Sequence, residues 1–165
     1  MSKRTIAHQL GSITDVAFAK CIAWLPLPEL EGVIAIGQTN GRVILSSVRG
    51  NTESCLFHGR EYASKHVRQC HAVAWGISDP LLLAGGFDKH RSEHGVIIWD
   101  AGKSETEVAK PIMEAGFGDS VASLAWFTQS QTIVAGVNGK FLRVYDVRGN
   151  VNVLILRLCV FLKLL

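Results

Sequence analysis

The sequence predicts an all-β chain assembled from about three repeats of one strand-rich unit, and three observations predict it. The tripeptide Ile-Ala-Trp at 22–24 returns as Val-Ala-Trp at 73–75 and Leu-Ala-Trp at 124–126, so that Trp24, Trp75 and Trp126 recur every 51 residues. Apolar runs of strand length follow each tryptophan at matching places, separated by pairs such as Asn40-Gly41 and Asn138-Gly139. The composition agrees, because 16 glycines with only 4 prolines and 8% aromatic residues suit a turn-rich β protein better than a helical bundle.

The elements of a unit follow in order. A first strand ends at the tryptophan, and after a turn a second apolar run ends in glycine, at 33–37, 81–85 and 133–136. A tight turn comes next, at Asn40-Gly41, Asp88-Lys89 and Asn138-Gly139, and a third strand follows at 42–46, 95–100 and 140–146. Asn-Gly between apolar runs signals a hairpin, since the central turn positions favour φ > 0. The variable segment before the next unit supplies a fourth, outer strand. Such a unit is one propeller blade, and Trp99-Asp100 with its counterpart Tyr145-Asp146 is the dipeptide of WD repeats. The expected fold is therefore a partial WD-repeat β-propeller of about three blades.

This reading divides the chain into an atypical leader at 1–17, a partial propeller at 18–150 with blades at about 18–60, 66–115 and 117–150, and an apolar tail at 151–165. Twelve of the fifteen tail residues are apolar. As a helix they would rise about 22 Å, short of a hydrocarbon core of about 30 Å, so the tail reads as a buried strand or the end of a truncated or alternatively spliced chain. A propeller closes with about four to eight blades, so three expose two sheet edges, and the expectation is a fragment or a chain completed by a partner.

Within the blades, Trp24, Trp75 and Trp126 are expected to anchor the inner strands. His66 lies nine residues before Trp75, as the histidine of a WD repeat does, and Asp88 sits in the turn before the strand ending at Trp99. His66, Asp88 and Trp99 are accordingly expected to form the polar lock of the middle blade, although Ala84-Gly85 stands where a serine or threonine normally contributes. Asp15 and Phe117 take the histidine's place in the other units. The hairpin insertion carrying Lys89, His90, Arg91, Glu93 and His94 reads as a solvated loop and the candidate partner contact, with the charged segment 60–68 beside it.

Several functions are set aside. Seventeen basic and 14 acidic residues give a net charge of +3 with no basic stripe, so no nucleic-acid partner is expected. Cys21, Cys55, Cys70 and Cys159 form no Cys-x-x-Cys pair, and Cys21 and Cys70 lie in apolar runs as small core residues in a reducing compartment. His66, Cys70, His71, His90 and His94 invite a metal reading, but the His90-x-x-x-His94 spacing suits a helical face and lies between strands, so no metal or other cofactor is expected. No Gly-x-Ser-x-Gly elbow, activated thiolate or phosphate cradle is present, so no catalytic residue is assigned. The amino terminus has no apolar run to serve as a signal peptide.

From about Phe18 to Asn150 the sequence resembles the Mio (missing oocyte) family of WD-repeat subunits of the GATOR complex. The resemblance is carried by Lys-Cys-Ile-Ala-Trp at 20–24, the run at 36–45, Lys-His-Val-Arg-Gln-Cys at 65–70, Asp-Lys-His-Arg at 88–91 leading to Val-Ile-Ile-Trp-Asp at 96–100, and the stretch 142–148. It implies a non-catalytic scaffold that promotes amino-acid-dependent TOR signalling with other WD-repeat subunits. It also implies a cytoplasmic location, peripheral at the lysosomal or vacuolar membrane. The family's helical solenoid and zinc-binding RING-like region have no counterpart in this sequence. The rival readings are a WD-repeat module unrelated to TOR, a histidine-dependent metal protein, and a truncated product without a function of its own.

Overall fold

The computed structural model describes residues 18–30, 32–48, 59–103 and 110–148, with residues 12, 16 and 57 and the backbone of 151–157. Among the described residues, twelve strands form three four-stranded antiparallel sheets, each in simple sequential order. The first holds β1 (Ala19–Trp24), β2 (Val33–Gln38), β3 (Arg42–Ser47) and β4 (Glu61–Ala63). The second holds β5 (Cys70–Trp75), β6 (Leu82–Phe87), β7 (His94–Asp100) and β8 (Met113–Phe117). The third holds β9 (Val121–Trp126), β10 (Thr132–Val137), β11 (Phe141–Asp146) and β12 (Val151–Arg157). The strand β5 contacts both β1 and β9, which lines up the first strands of the three sheets as the inner strands of a propeller are lined up. The protein is thus all-β, with the sheet arrangement of a partial WD40 propeller.

Alternation along the strands builds the core. In the middle sheet, Leu83, Ile97 and Trp99 face the first sheet and join Leu25, Val43, Leu45 and Tyr62 in one buried cluster. Their neighbours Leu82, Ala84, Val96 and Ile98 face the third sheet and join Val121, Trp126, Ile133 and Tyr145 in another. Both faces of this sheet are therefore covered, which is why β6 and most of β7 read as continuous apolar runs.

The hairpin turns differ. Asn138 and Gly139 both take positive φ, of 52° and 64°, as a two-residue hairpin requires. At 40–41 Gly41 alone does, at 84°, while the Asn40 side chain accepts a hydrogen bond from the Arg42 amide at 3.0 Å. At the other end of the third sheet, β12 pairs with β11, so 151–157 supplies an outer strand. Asp15 and Cys55 lie outside the described residues, as does Cys159.

The three tryptophans are not equivalent. Trp75 and Trp126 are buried and donate through Nε1 across the sheet boundary, to the Ala23 carbonyl at 3.2 Å and the Ala74 carbonyl at 3.1 Å. Trp24 is 54% exposed, which corrects its assignment as an inner-strand anchor. No sheet precedes β1 among the described residues, so the same side chain has nothing to pack beneath.

Candidate interaction site

A repeated irregularity in the inner strands shapes the site. In each first strand one residue has no cross-strand partner, namely Lys20, His71 and Ala122, each four residues before the tryptophan. Such a bulge re-aims the extra side chain. In the middle sheet it turns His71 toward the β6–β7 hairpin, where His71 Nε2 lies 2.6 Å from Asp88 Oδ1. His71, not His66, is therefore the histidine that meets Asp88.

This corrects the expected lock at His66 and Trp99, while Asp88 keeps a histidine partner, His71. His66 is largely exposed, and its Nδ1 pairs with Glu93 Oε1. Trp99 is fully buried without a hydrogen-bond partner for Nε1 among the described residues. Its role is apolar, set between Tyr62 at 5.3 Å and an edge-on Phe87 at 6.2 Å between ring centroids. At His66's offset in the third repeat, Phe117 is exposed and edge-on to His94.

The buried polar centre is Arg68, which sequence reasoning placed only within a charged surface segment. Its Nη2 lies 2.9 Å from Glu93 Oε2 and donates to the His94 carbonyl at 2.6 Å, while Nη1 donates to the Asp88 carbonyl at 3.1 Å. The guanidinium rests 4.8 Å over the Phe87 ring. Burial lowers its pKa from the ordinary arginine value, and the Glu93 carboxylate opposes that. Both partners are buried, so Glu93 is no solvated contact residue, in correction of that expectation.

The third sheet places Asp119 at the corresponding position, seven residues before its tryptophan. Asp119 is buried, lies 2.6 Å from Arg143 and accepts from Asn138 Nδ2 at 2.8 Å. Each of these two blades thus carries a buried charge seven residues before its tryptophan, paired with the opposite charge, buried Glu93 in one and half-buried Arg143 in the other. The available sequence signal was the pair of charges at equal offsets from Trp75 and Trp126.

Around this fixed centre the rest of the hairpin lies at or near the surface. Lys89 and Arg91 are exposed, His90 and His94 are half-buried, and His90 stacks on His66 at 4.3 Å between ring centroids. Val67 beside them is 85% exposed. Along the outer edge, Glu114 lies 3.6 Å from Lys65 and 3.5 Å from His94, and these three line an open depression of about 560 Å³ with Pro111, Ile112 and Met113. The arrangement leaves two exposed cations, Lys89 and Arg91, and three imidazoles, His66, His90 and His94, around a buried ion pair. No helix among the described residues is long and apolar enough to cross a membrane.

Comparison with known proteins fits this geometry. The family described as MIOS, WD40 repeat, matches residues 1–107. The GATOR2 complex protein MIOS-A of Xenopus laevis is 34% identical and MIOS of Danio rerio 35%, each alignment covering 90% of this chain and 20% of the relative. The GATOR2 complex protein Mio of Drosophila melanogaster is 28% identical over 86% of this chain and 16% of its own length. The chain accordingly spans about a fifth of the length of the two vertebrate relatives. With a family match over more than half its residues, three antiparallel sheets and a recurrent Ala-Trp inner strand, the chain belongs to the MIOS WD40-repeat family.

Proposed function

We propose that the chain serves as a non-catalytic WD40 scaffold segment in a GATOR2-type complex, and through it in amino-acid-dependent TOR signalling at the lysosomal or vacuolar surface. The observation that carries this reading is the alignment of 90% of the chain with relatives named as GATOR2 complex proteins. Its partners on this reading are other protein subunits, WD-repeat subunits among them. The segment divides into a leader at 1–17, blades at about 18–60, 66–115 and 117–150, and a tail at 151–165 whose first residues give the third blade its outer strand β12. The contact face is the exposed part of the β6–β7 hairpin, Lys89 and Arg91 with the rims of His90 and His94, because loops on a rigid scaffold carry recognition.

The test is co-purification from cells of the source organism, with a tagged chain expressed at native level. We expect GATOR2 subunits to be recovered and the charge-reversed Lys89→Glu/Arg91→Glu variant to recover several-fold less. Loss of recovery on charge reversal would support both the assembly and the contact face. Recovery of none of these subunits by the unmodified chain would overturn the reading.

A further inference from the structure

We propose that His66, His90 and Glu93 form a site for a divalent zinc-type cation at the rim of the middle blade. Their three ligand atoms, two imidazole nitrogens and one carboxylate oxygen, all lie within 4.8 Å of one another. Ligands about 2.0–2.2 Å from a tetrahedral ion stand roughly 3.3–3.6 Å apart, so closure needs shifts of about an ångström. Rotation of the two exposed or half-buried imidazoles supplies that movement.

The surroundings orient two of the three groups. Arg68 holds Glu93 Oε2 at 2.9 Å, which fixes the carboxylate and leaves Oε1 facing His66 Nδ1. The Ser92 hydroxyl stands 3.1 Å from His90 Nδ1 and can accept its proton, the tautomer that frees Nε2 to coordinate, once the Ser92 amide at 3.4 Å no longer donates to Nδ1. Ligating histidines and carboxylates are typically steered by such outer contacts. The rings of His66 and His90, stacked at 4.3 Å and inclined by 19°, must turn out of their stack for both in-plane lone pairs to reach one ion.

The donor set selects the metal. Two imidazoles with one carboxylate suit zinc and its borderline neighbours, whereas calcium and magnesium require an oxygen-rich shell. Three protein ligands on an open rim leave the remaining coordination to water. Arg68 draws on the carboxylate's charge, so affinity will fall well below that of a closed four-ligand site. Bound there, the ion ties the segment entering β5 to the β6–β7 hairpin and orders the rim that carries Lys89 and Arg91. The spacing that argued against a metal concerned His90 and His94; the convergence instead uses Glu93, whose carboxylate the Arg68 pair turns inward.

The experiment titrates the full chain, stripped with a chelator, with zinc ion against a chromophoric competitor, and checks each protein's β signature by circular dichroism. We expect one equivalent bound, at least ten-fold weaker binding in His66→Gln and His90→Gln, and unchanged binding in His94→Gln, Cys21→Ser and Cys55→Ser. Zinc should raise the melting temperature of the unmodified chain but not of His90→Gln. His90→Asn repeats the comparison should a glutamine variant lose its fold. Absence of stoichiometric binding to the folded chain, or binding that survives in both histidine variants or falls in the cysteine variants, would overturn the proposal.

Discussion

Arg68 without Glu93 would leave a guanidinium facing an aromatic ring and two carbonyls, and Glu93 without Arg68 would leave a buried carboxylate beside a histidine. Breaking a buried ion pair from one side costs more than replacing both partners, because the survivor stays charged and unpaired. Arg68→Met should therefore destabilise the fold by about 3–5 kcal/mol, while Arg68→Met/Glu93→Leu should recover most of that loss. Urea denaturation in metal-free buffer, followed by far-ultraviolet circular dichroism, measures both. A second residue reports through pH. Tyr62 is fully buried, and burial pushes its phenol up to about 12 against the opposing pull of Arg60. The folded state holds this proton more tightly than the unfolded chain, so the contribution is complete below the unfolded pKa of about 10 and disappears as pH rises toward about 12. It amounts to about 3 kcal/mol. Tyr145 is shifted in the same direction by burial, so Tyr62→Phe should remove part of the alkaline fall in melting temperature, leaving the Tyr145 share.

At the scale of elements, the inner strands separate what the sequence could reveal from what it could not. The period set by Ala-Trp and the apolar runs after it were legible because they follow from strand alternation and hairpin chemistry, and the three sheets appear where those signals stand. The bulge at His71 was not legible. It exists only as a register offset against β6, and it moves the aspartate's partner from His66 to a residue five places on. Glu93 was misplaced for a related reason, since a glutamate in a polar hairpin reads as solvated until a distant Arg68 is brought beneath it. The inner strands also make close contact through sulfur. A Cβ on Gly37 of β2 would stand 2.5 Å from Cys21 Sγ and 2.7 Å from Cys70 Sγ, so the glycine makes room for two thiols from neighbouring sheets. The contact with Cys21, with burial added, pushes the Cys70 thiol up from its ordinary pKa. Gly37→Ala should cost about 1–3 kcal/mol by overpacking, and Cys21→Ala in the same chain should restore part of it. Thermal melts of the two single variants and the double variant provide that comparison.

At the scale of the whole molecule, stability lies in the boundaries between sheets, as it does in arrays whose repeats contact only their neighbours. Trp75 ties the second sheet to the first, and Trp126 ties the third to the second, by the same indole-to-carbonyl bond one repeat apart. Three identical substitutions therefore probe three positions in the array. Trp75→Ala and Trp126→Ala each remove a buried indole and a cross-boundary hydrogen bond, and should cost about 3–5 kcal/mol. Trp24 has the same sequence context but is more than half exposed, so Trp24→Ala should cost about 1 kcal/mol or less. Urea denaturation of the three variants decides the point, because it compares one chemical change in three packing environments. A Trp24→Ala loss matching the other two would mean that another sheet covers β1 in solution, with Trp24 donating across that boundary as Trp75 does to Ala23. A small loss would place the end of the cooperative array at β1, where neither the tripeptide nor its spacing distinguishes an interior blade from a terminal one.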